Sequence, residues 1–168
     1  MSVAKIRNVR GNRDYHISNV KFAIPVTYPT KVDFQNYVKK HGIDTVINVS
    51  DYSIPKEVVQ FYKRCGVKNV IYAPFQDKIL EPKEYKPQLQ LIETIYQKTH
   101  NCGNMLVHCS AGINRSATVI SYIAHKTTGL EMGYIIQKIR ESNAEQRNIA
   151  ALTNYTFVNL LRNYVAKY

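Results

Sequence analysis

The segment Met105-Leu106-Val107-His108-Cys109-Ser110-Ala111-Gly112-Ile113-Asn114-Arg115-Ser116 constrains the fold more than any other stretch of the chain. Met105-Leu106-Val107 is a compact apolar run of the kind that forms a buried strand, and it stops at His108-Cys109. A loop centred on Gly112 follows, and from Arg115 the pattern turns helical through about Lys126. A buried strand, a glycine-centred loop and a helix start belong together in an open α/β sheet. Ligands in such sheets sit at the carboxyl ends of the strands, so this loop is the place for a site.

The rest of the chain repeats the theme. Thr30 can cap a helix running through Phe34, Tyr37 and Val38 to Gly42, and Thr45-Val46-Ile47-Asn48-Val49 reads as a short buried strand. Pro55 opens a second helix carrying Val58, Val59 and Tyr62 on one face and closing at Gly66. Val67 to Tyr72 reads as a further strand, and the helix from about Glu84 to His100 shows Leu89, Ile92 and Tyr96 at helical spacing. Helical patterns over Met132–Glu141 and Ala150–Tyr164 complete the chain. Strands alternating with helices, then helices alone, predict an α/β fold with a central, mostly parallel sheet flanked by helices. The first twenty residues, rich in Arg, Asn and Lys, read as an irregular basic arm (1–20), and 21–168 as one domain. A length of 168 residues, 45% of them hydrophobic, suits a single globular core.

Composition narrows the setting. No stretch approaches the roughly 20 apolar residues that span a bilayer. The N-terminus has no apolar run of a secretory leader and the C-terminus no prenylation cysteine, so no stable membrane anchor is expected. The cysteines Cys65, Cys102 and Cys109 fit neither a zinc site nor a disulfide framework, which suits the reducing cytoplasm, with the nucleus as the alternative compartment. A net charge of +11 favours anionic partners, whether nucleic acid, phospholipid or phosphoprotein. The sequence sets no oligomeric state.

The loop has a chemical logic. Five residues separate Cys109 from Arg115, enough for the chain to curl around one tetrahedral anion. The backbone N–H groups of Ser110, Ala111, Gly112, Ile113 and Asn114 then point inward above the positive end of the following helix. Arg115 offers a planar fork to two phosphate oxygens. The same field stabilises a thiolate, making Cys109 a nucleophile for phosphorus. An isolated cysteine would read as a packing thiol; His, Cys, Gly, Arg and Ser together between a strand and a helix do not. Departure of an alkoxide or phenoxide calls for a proton from another loop at the same sheet edge, and Asp77 in Pro74-Phe75-Gln76-Asp77 is the candidate acid. His108 is expected to orient the loop rather than move protons, and Asn48 to brace it from the neighbouring strand end.

His108-Cys109, five residues, then Arg115-Ser116 resembles the signature of the cysteine-based protein tyrosine phosphatase superfamily. The compact length and Ser116-Ala117-Thr118-Val119 are similar to its dual-specificity branch, whose small members also occur in viruses. Asn19–Ile24, Ile43–Val49 and the Pro-Phe-x-Asp run are similar to dual-specificity enzymes including the phosphatases of regenerating liver. The resemblance implies the cysteine-phosphatase fold and hydrolysis of phosphotyrosine and phosphoserine/threonine in phosphoproteins through a cysteinyl-phosphate, with no cofactor or metal. It implies that Asp77 is the acid and that the Ser116 hydroxyl hydrogen-bonds the cysteine sulfur as the phosphoenzyme breaks down. Ser50 and Ser116 stand where the regenerating-liver enzymes carry cysteine and alanine, which implies faster turnover and no disulfide lock at that position.

Two other readings compete. An RNA 5′-triphosphatase of the same superfamily suits the net charge and the Gly112-Ile113-Asn114-Arg115 wording, but such enzymes generally work without the aspartic acid. A phosphate-recognising binding module with vestigial catalysis is opposed by the intact Cys109, Arg115 and Ser116. Uncharged Ser110, Ala111, Ile113 and Asn114 argue against an inositol phospholipid, for which the superfamily tends to place lysines in the loop.

Overall fold

The structure is a computed structural model describing residues 2–165. Five strands form one sheet: β1 (Val3–Lys5), β2 (Tyr15–Ser18), β3 (Ile43–Asn48), β4 (Asn69–Tyr72) and β5 (Asn104–His108), in the spatial order β1-β2-β5-β3-β4. β2, β5, β3 and β4 run parallel, and β1 is antiparallel to β2. This is the mostly parallel α/β sheet the alternating pattern predicts.

Helices cover both faces. On one side lie α1 (Val20–Ala23), α2 (Tyr28–His41) and α3 (Lys56–Cys65); on the other lie α4 (Tyr85–Gln97), α5 (Arg115–Thr128), α6 (Met132–Arg147) and α7 (Tyr155–Asn159), the last continued by a π-helical turn over Leu160–Val165. Alternate residues of the central strands divide between two cores. Ile47, Met105 and Val107 join the larger cluster with Ile92, Ile120, Ile123, Ile136 and Phe157, whereas Val46 and Leu106 join Phe34, Val38, Val58 and Tyr62. Burial on both faces is why these strands read as unbroken apolar runs. Gly42 closes α2 in the left-handed conformation (φ 60), as its place in the sequence requires. Among the described residues no helix is long and apolar enough to cross a membrane.

Three expectations need correction. The expected irregular arm over residues 1–20 instead supplies two strands of the sheet, with Ala4, Tyr15, His16, Ile17 and Ser18 fully buried. Only the linking segment, with Arg7, Arg10 and Arg13, is irregular. β2 hides because His16 and Ser18 interrupt its apolar pattern; their burial is made tolerable by the hydrogen bond His16 Nδ1 shares with the Tyr37 hydroxyl and by Ser18 Oγ donating to Asn19 O. α6 continues past Glu141 to Arg147, and the helix expected from Ala150 starts only at Tyr155. Residues 150–154 form an irregular strap, with Asn154 capping α7 by accepting from the Thr156 and Phe157 N–H groups.

Candidate active site

β5 ends at His108, flanked in register by Ser18 of β2 and Asn48 of β3, and the loop from Cys109 leads into α5 at Arg115. Within it, the carbonyls of four successive residues point outward, each to an external donor. Val20 N donates to Ser110 O (3.0 Å), and Leu152 N donates to Ile113 O (2.9 Å). Arg147 donates through Nη2 to Ala111 O (2.9 Å) and through Nη1 to Gly112 O (2.7 Å). In a trans peptide the N–H of the next residue points opposite to the carbonyl. Holding carbonyls 110 to 113 outward therefore turns the N–H groups of Ala111, Gly112, Ile113 and Asn114 inward, into an anion-binding nest. Gly112 has φ +70, and a Cβ there would come within 2.4 Å of Ser18 O, so no other residue fits. Leu152 adopts a left-handed backbone (φ 56), strain accepted where the strap reaches the loop.

Cys109 lies beneath this nest, 2% exposed, with its Sγ 3.4 Å from Ser116 Oγ. Burial alone would raise the thiol pKa. The Ser116 hydroxyl, the N–H groups of Ser116 and Gly112 and the Arg115 charge outweigh that penalty, and the net shift is downward, towards thiolate. Arg115 is itself buried: Nη1 donates to Phe75 O (3.0 Å) and Nη2 to Ser110 Oγ (3.2 Å), while Nε is buried without a partner. An unsatisfied guanidinium N–H beside a nest of inward N–H groups is a donor waiting for an anion.

His108 is fully buried and both its ring nitrogens lack partners. Burial pulls its pKa down to about 4, so the ring is neutral at physiological pH. Its contribution to the loop includes packing and the backbone, where His108 O accepts from Val49 N. Among the described residues the Asn48 side chain hydrogen-bonds to none of residues 109–115. Its Oδ1 accepts from the Ser50 N–H and hydroxyl, and its Nδ2 donates to Tyr52 O, so it shapes the turn at 50–52 beside the loop. That turn brings Asp51 Oδ2 to 3.8 Å from Arg115 Nη1.

Asp77, exposed on the loop after β4, is joined to the phosphate loop by a polar chain. Asn114 Nδ2 donates to Asp77 Oδ2 (3.0 Å), and Asn154 Nδ2 donates to Asp77 Oδ1 (2.9 Å). Asn114 Oδ1 in turn accepts from Asn154 N (2.9 Å). Cys109, Ser116, Arg115, Asn114 and Asp77 thus meet at one sheet edge.

Two functional positions escape sequence reading: Arg147, which holds the loop from outside, and Asn154, which holds Asp77. The Arg147 fork also engages Asn143 Oδ1 one helical turn earlier, but such a pair is common on exposed helix faces and marks no loop partner in the sequence.

The comparisons agree with this geometry. The kinase associated phosphatase matches with a TM-score of 0.64 at 15% identity, covering 99% of this chain and 93% of that one. The Cydia pomonella PTP-2 phosphatase matches at TM-score 0.59 and 18% identity, over 96% and 89% of the two chains. DUSP15 matches at 0.57 and 22%, over 94% and 85%. At these identities the likenesses establish the shared fold. A search of curated proteins gives no match. The family described as dual specificity phosphatase, catalytic domain, matches residues 26–166, which include the nucleophile loop, the Asp77 loop and the strap. The chain belongs to that family and is a cysteine-based dual-specificity protein phosphatase.

Proposed function

We propose that Cys109, Arg115, Asp77 and Ser116 carry a two-step hydrolysis of phosphorylated side chains in proteins. The phosphate sits in the nest of Ala111–Asn114 N–H groups, with Ser110 and Arg115 closing it. The Cys109 thiolate forms a bond to phosphorus as the ester P–O bond breaks, and Asp77 passes its proton to the departing oxygen. Water then attacks phosphorus, the Asp77 carboxylate takes its proton, and the S–P bond breaks. The Ser116 hydroxyl stabilises the sulfur as it regains its charge, and inorganic phosphate leaves. His108 and Asn48 act as supports. The chain works as a single phosphatase domain, in the cytoplasm, where a thiolate stays reduced.

One observation carries the reading: four consecutive loop carbonyls are drawn outward, leaving donors converging over a buried, acidified thiol. The test is vanadate-sensitive turnover of p-nitrophenyl phosphate and of phosphotyrosine and phosphothreonine peptides. Cys109→Ser abolishes it, and Asp77→Asn slows it about a hundredfold with a dependence on leaving group. Turnover that survives Cys109→Ser overturns the assignment.

A further inference from the structure

Besides the proton donor Asp77, Asp51 is a carboxylate at the mouth whose charge runs against the rest of the site. Its side chain is 69% exposed, and its carboxylate faces the phosphate-binding guanidinium at 3.8 Å. That separation exceeds hydrogen-bond length, and Arg115 already spends Nη1 on Phe75 O and Nη2 on Ser110 Oγ. Asp51 is therefore not needed to satisfy the arginine, and its field is left for what enters the cleft. Its position is not accidental mobility. Asn48 and Ser50, both fully buried, hold the turn: Ser50 Oγ donates to Asn48 Oδ1 (2.6 Å) and accepts from Tyr52 N (3.1 Å), while Asn48 Nδ2 donates to Tyr52 O. A buried polar pair fully engaged in fixing one turn makes that turn a rigid part of the wall.

Once a phosphate dianion occupies the loop, this carboxylate lies next to it, and the like charges repel unless a cation stands between them. The chain carries +11 overall, which draws anions to the cleft without discrimination. Lys21 lines a hollow with Ser110 and Ile113, and another with Tyr52 and Pro55, so cationic attraction for a phosphate is available beside the loop without Asp51.

We propose that Asp51 is a specificity-determining residue, selecting phosphoproteins with a lysine or arginine beside the phosphorylated residue and rejecting polyphosphates. The proposal rests on the phosphatase reading given above.

The experiment measures kcat/KM on phosphopeptide pairs that differ only in Lys or Glu at each flanking position, with p-nitrophenyl phosphate and a 5′-triphosphate oligonucleotide alongside. For the native protein, Lys over Glu is favoured about threefold to tenfold at one of the two positions, as expected for an ion pair at an exposed site, and salt shrinks the ratio. In Asp51→Asn the ratio falls to about one, in Asp51→Lys it inverts, and release of phosphate from the oligonucleotide rises in both. A native ratio near one at both positions, a ratio that survives in Asp51→Asn, or native preference for the oligonucleotide over the lysine peptide overturns the proposal. If p-nitrophenyl phosphate is turned over normally in those cases, only the selectivity is lost. If it is not turned over at all, or Cys109→Ser retains turnover, the catalytic reading falls and the selectivity with it.

Discussion

Asn154 Nδ2 donates to Asp77 Oδ1 at 2.9 Å, while the same side chain's Oδ1 caps α7. One residue thereby ties the start of a helix to the acid loop. Asn154→Ala removes both ties and is expected to cost about 1 kcal/mol of stability through the lost cap. Asn154→Asp keeps a capping oxygen but replaces the amide donor with a carboxylate facing Asp77. We expect Asn154→Asp to retain stability in urea titration while slowing substrates with poor leaving groups about tenfold or more, with p-nitrophenyl phosphate affected less. Equal slowing across leaving groups would detach Asn154 from the proton transfer.

Arg147 fixes two loop carbonyls with one planar fork, a geometry lysine cannot copy. Arg147→Lys is predicted to weaken inhibition by inorganic phosphate about tenfold with the protein still folded, because the nest loses its shape and not its net charge. Competitive inhibition measured beside thermal melting separates the two effects. Arg147→Ala, which leaves buried oxygens unpaired, should cost about 3 kcal/mol as well.

The nucleophile's acidity depends on Ser116. Ser116→Ala removes the hydroxyl that helps hold the Cys109 pKa down, so the pH profile of iodoacetamide alkylation is expected to move to higher pH. Phosphoenzyme breakdown should slow in the same variant, seen as a burst of p-nitrophenol before the steady state. An unmoved alkylation profile would assign the low pKa to the backbone and Arg115 alone.

Acid should unfold the protein through its buried histidines. His108 falls to about 4 and His16 to about 3, in both cases chiefly because burial disfavours the cation. The unfolded chain therefore binds more protons than the native one below about pH 6.5, and stability rises with pH across that window. For His108 the stability lost as pH falls from 6.5 to 4 is on the order of 3 kcal/mol. Urea midpoints between pH 4 and 7 should show this slope, and His108→Gln should flatten part of it.

What could be read beforehand was what is local. The Cys109–Ser116 loop is contiguous, so spacing alone conveys its geometry, and β3 and β5 announce themselves through β-branched and apolar runs. Gly42 and Gly66 mark helix ends because only their backbone freedom suits the left-handed turn. Arg147 lay between two expected helices and Asn154 inside the second, and neither stood out, since their partners lie 35 and 77 positions away. Asn48 was expected to brace the phosphate loop; it serves the adjacent turn at 50–52, a distinction made only by which way a strand-end side chain leans. The strand at Tyr15–Ser18 had no continuous apolar signature because His16 and Ser18 interrupt it, and their partners, the Tyr37 hydroxyl and the Asn19 carbonyl, are set by the fold.

That strand carries a wider consequence. Its last carbonyl, Ser18 O, fills the space where Gly112 would carry a side chain, and α1 just beyond it supplies the donor to Ser110 O. Ribosomal synthesis delivers this wall early, yet beyond the hairpin partner β1 it has nothing to pair with until β5 emerges some ninety residues later and nothing to close against until the strap follows. The nucleophile loop is the meeting point of the earliest and latest parts of the chain, so no fragment should hold a partial activity, and unfolding at either extremity should extinguish catalysis in the same transition that melts the sheet.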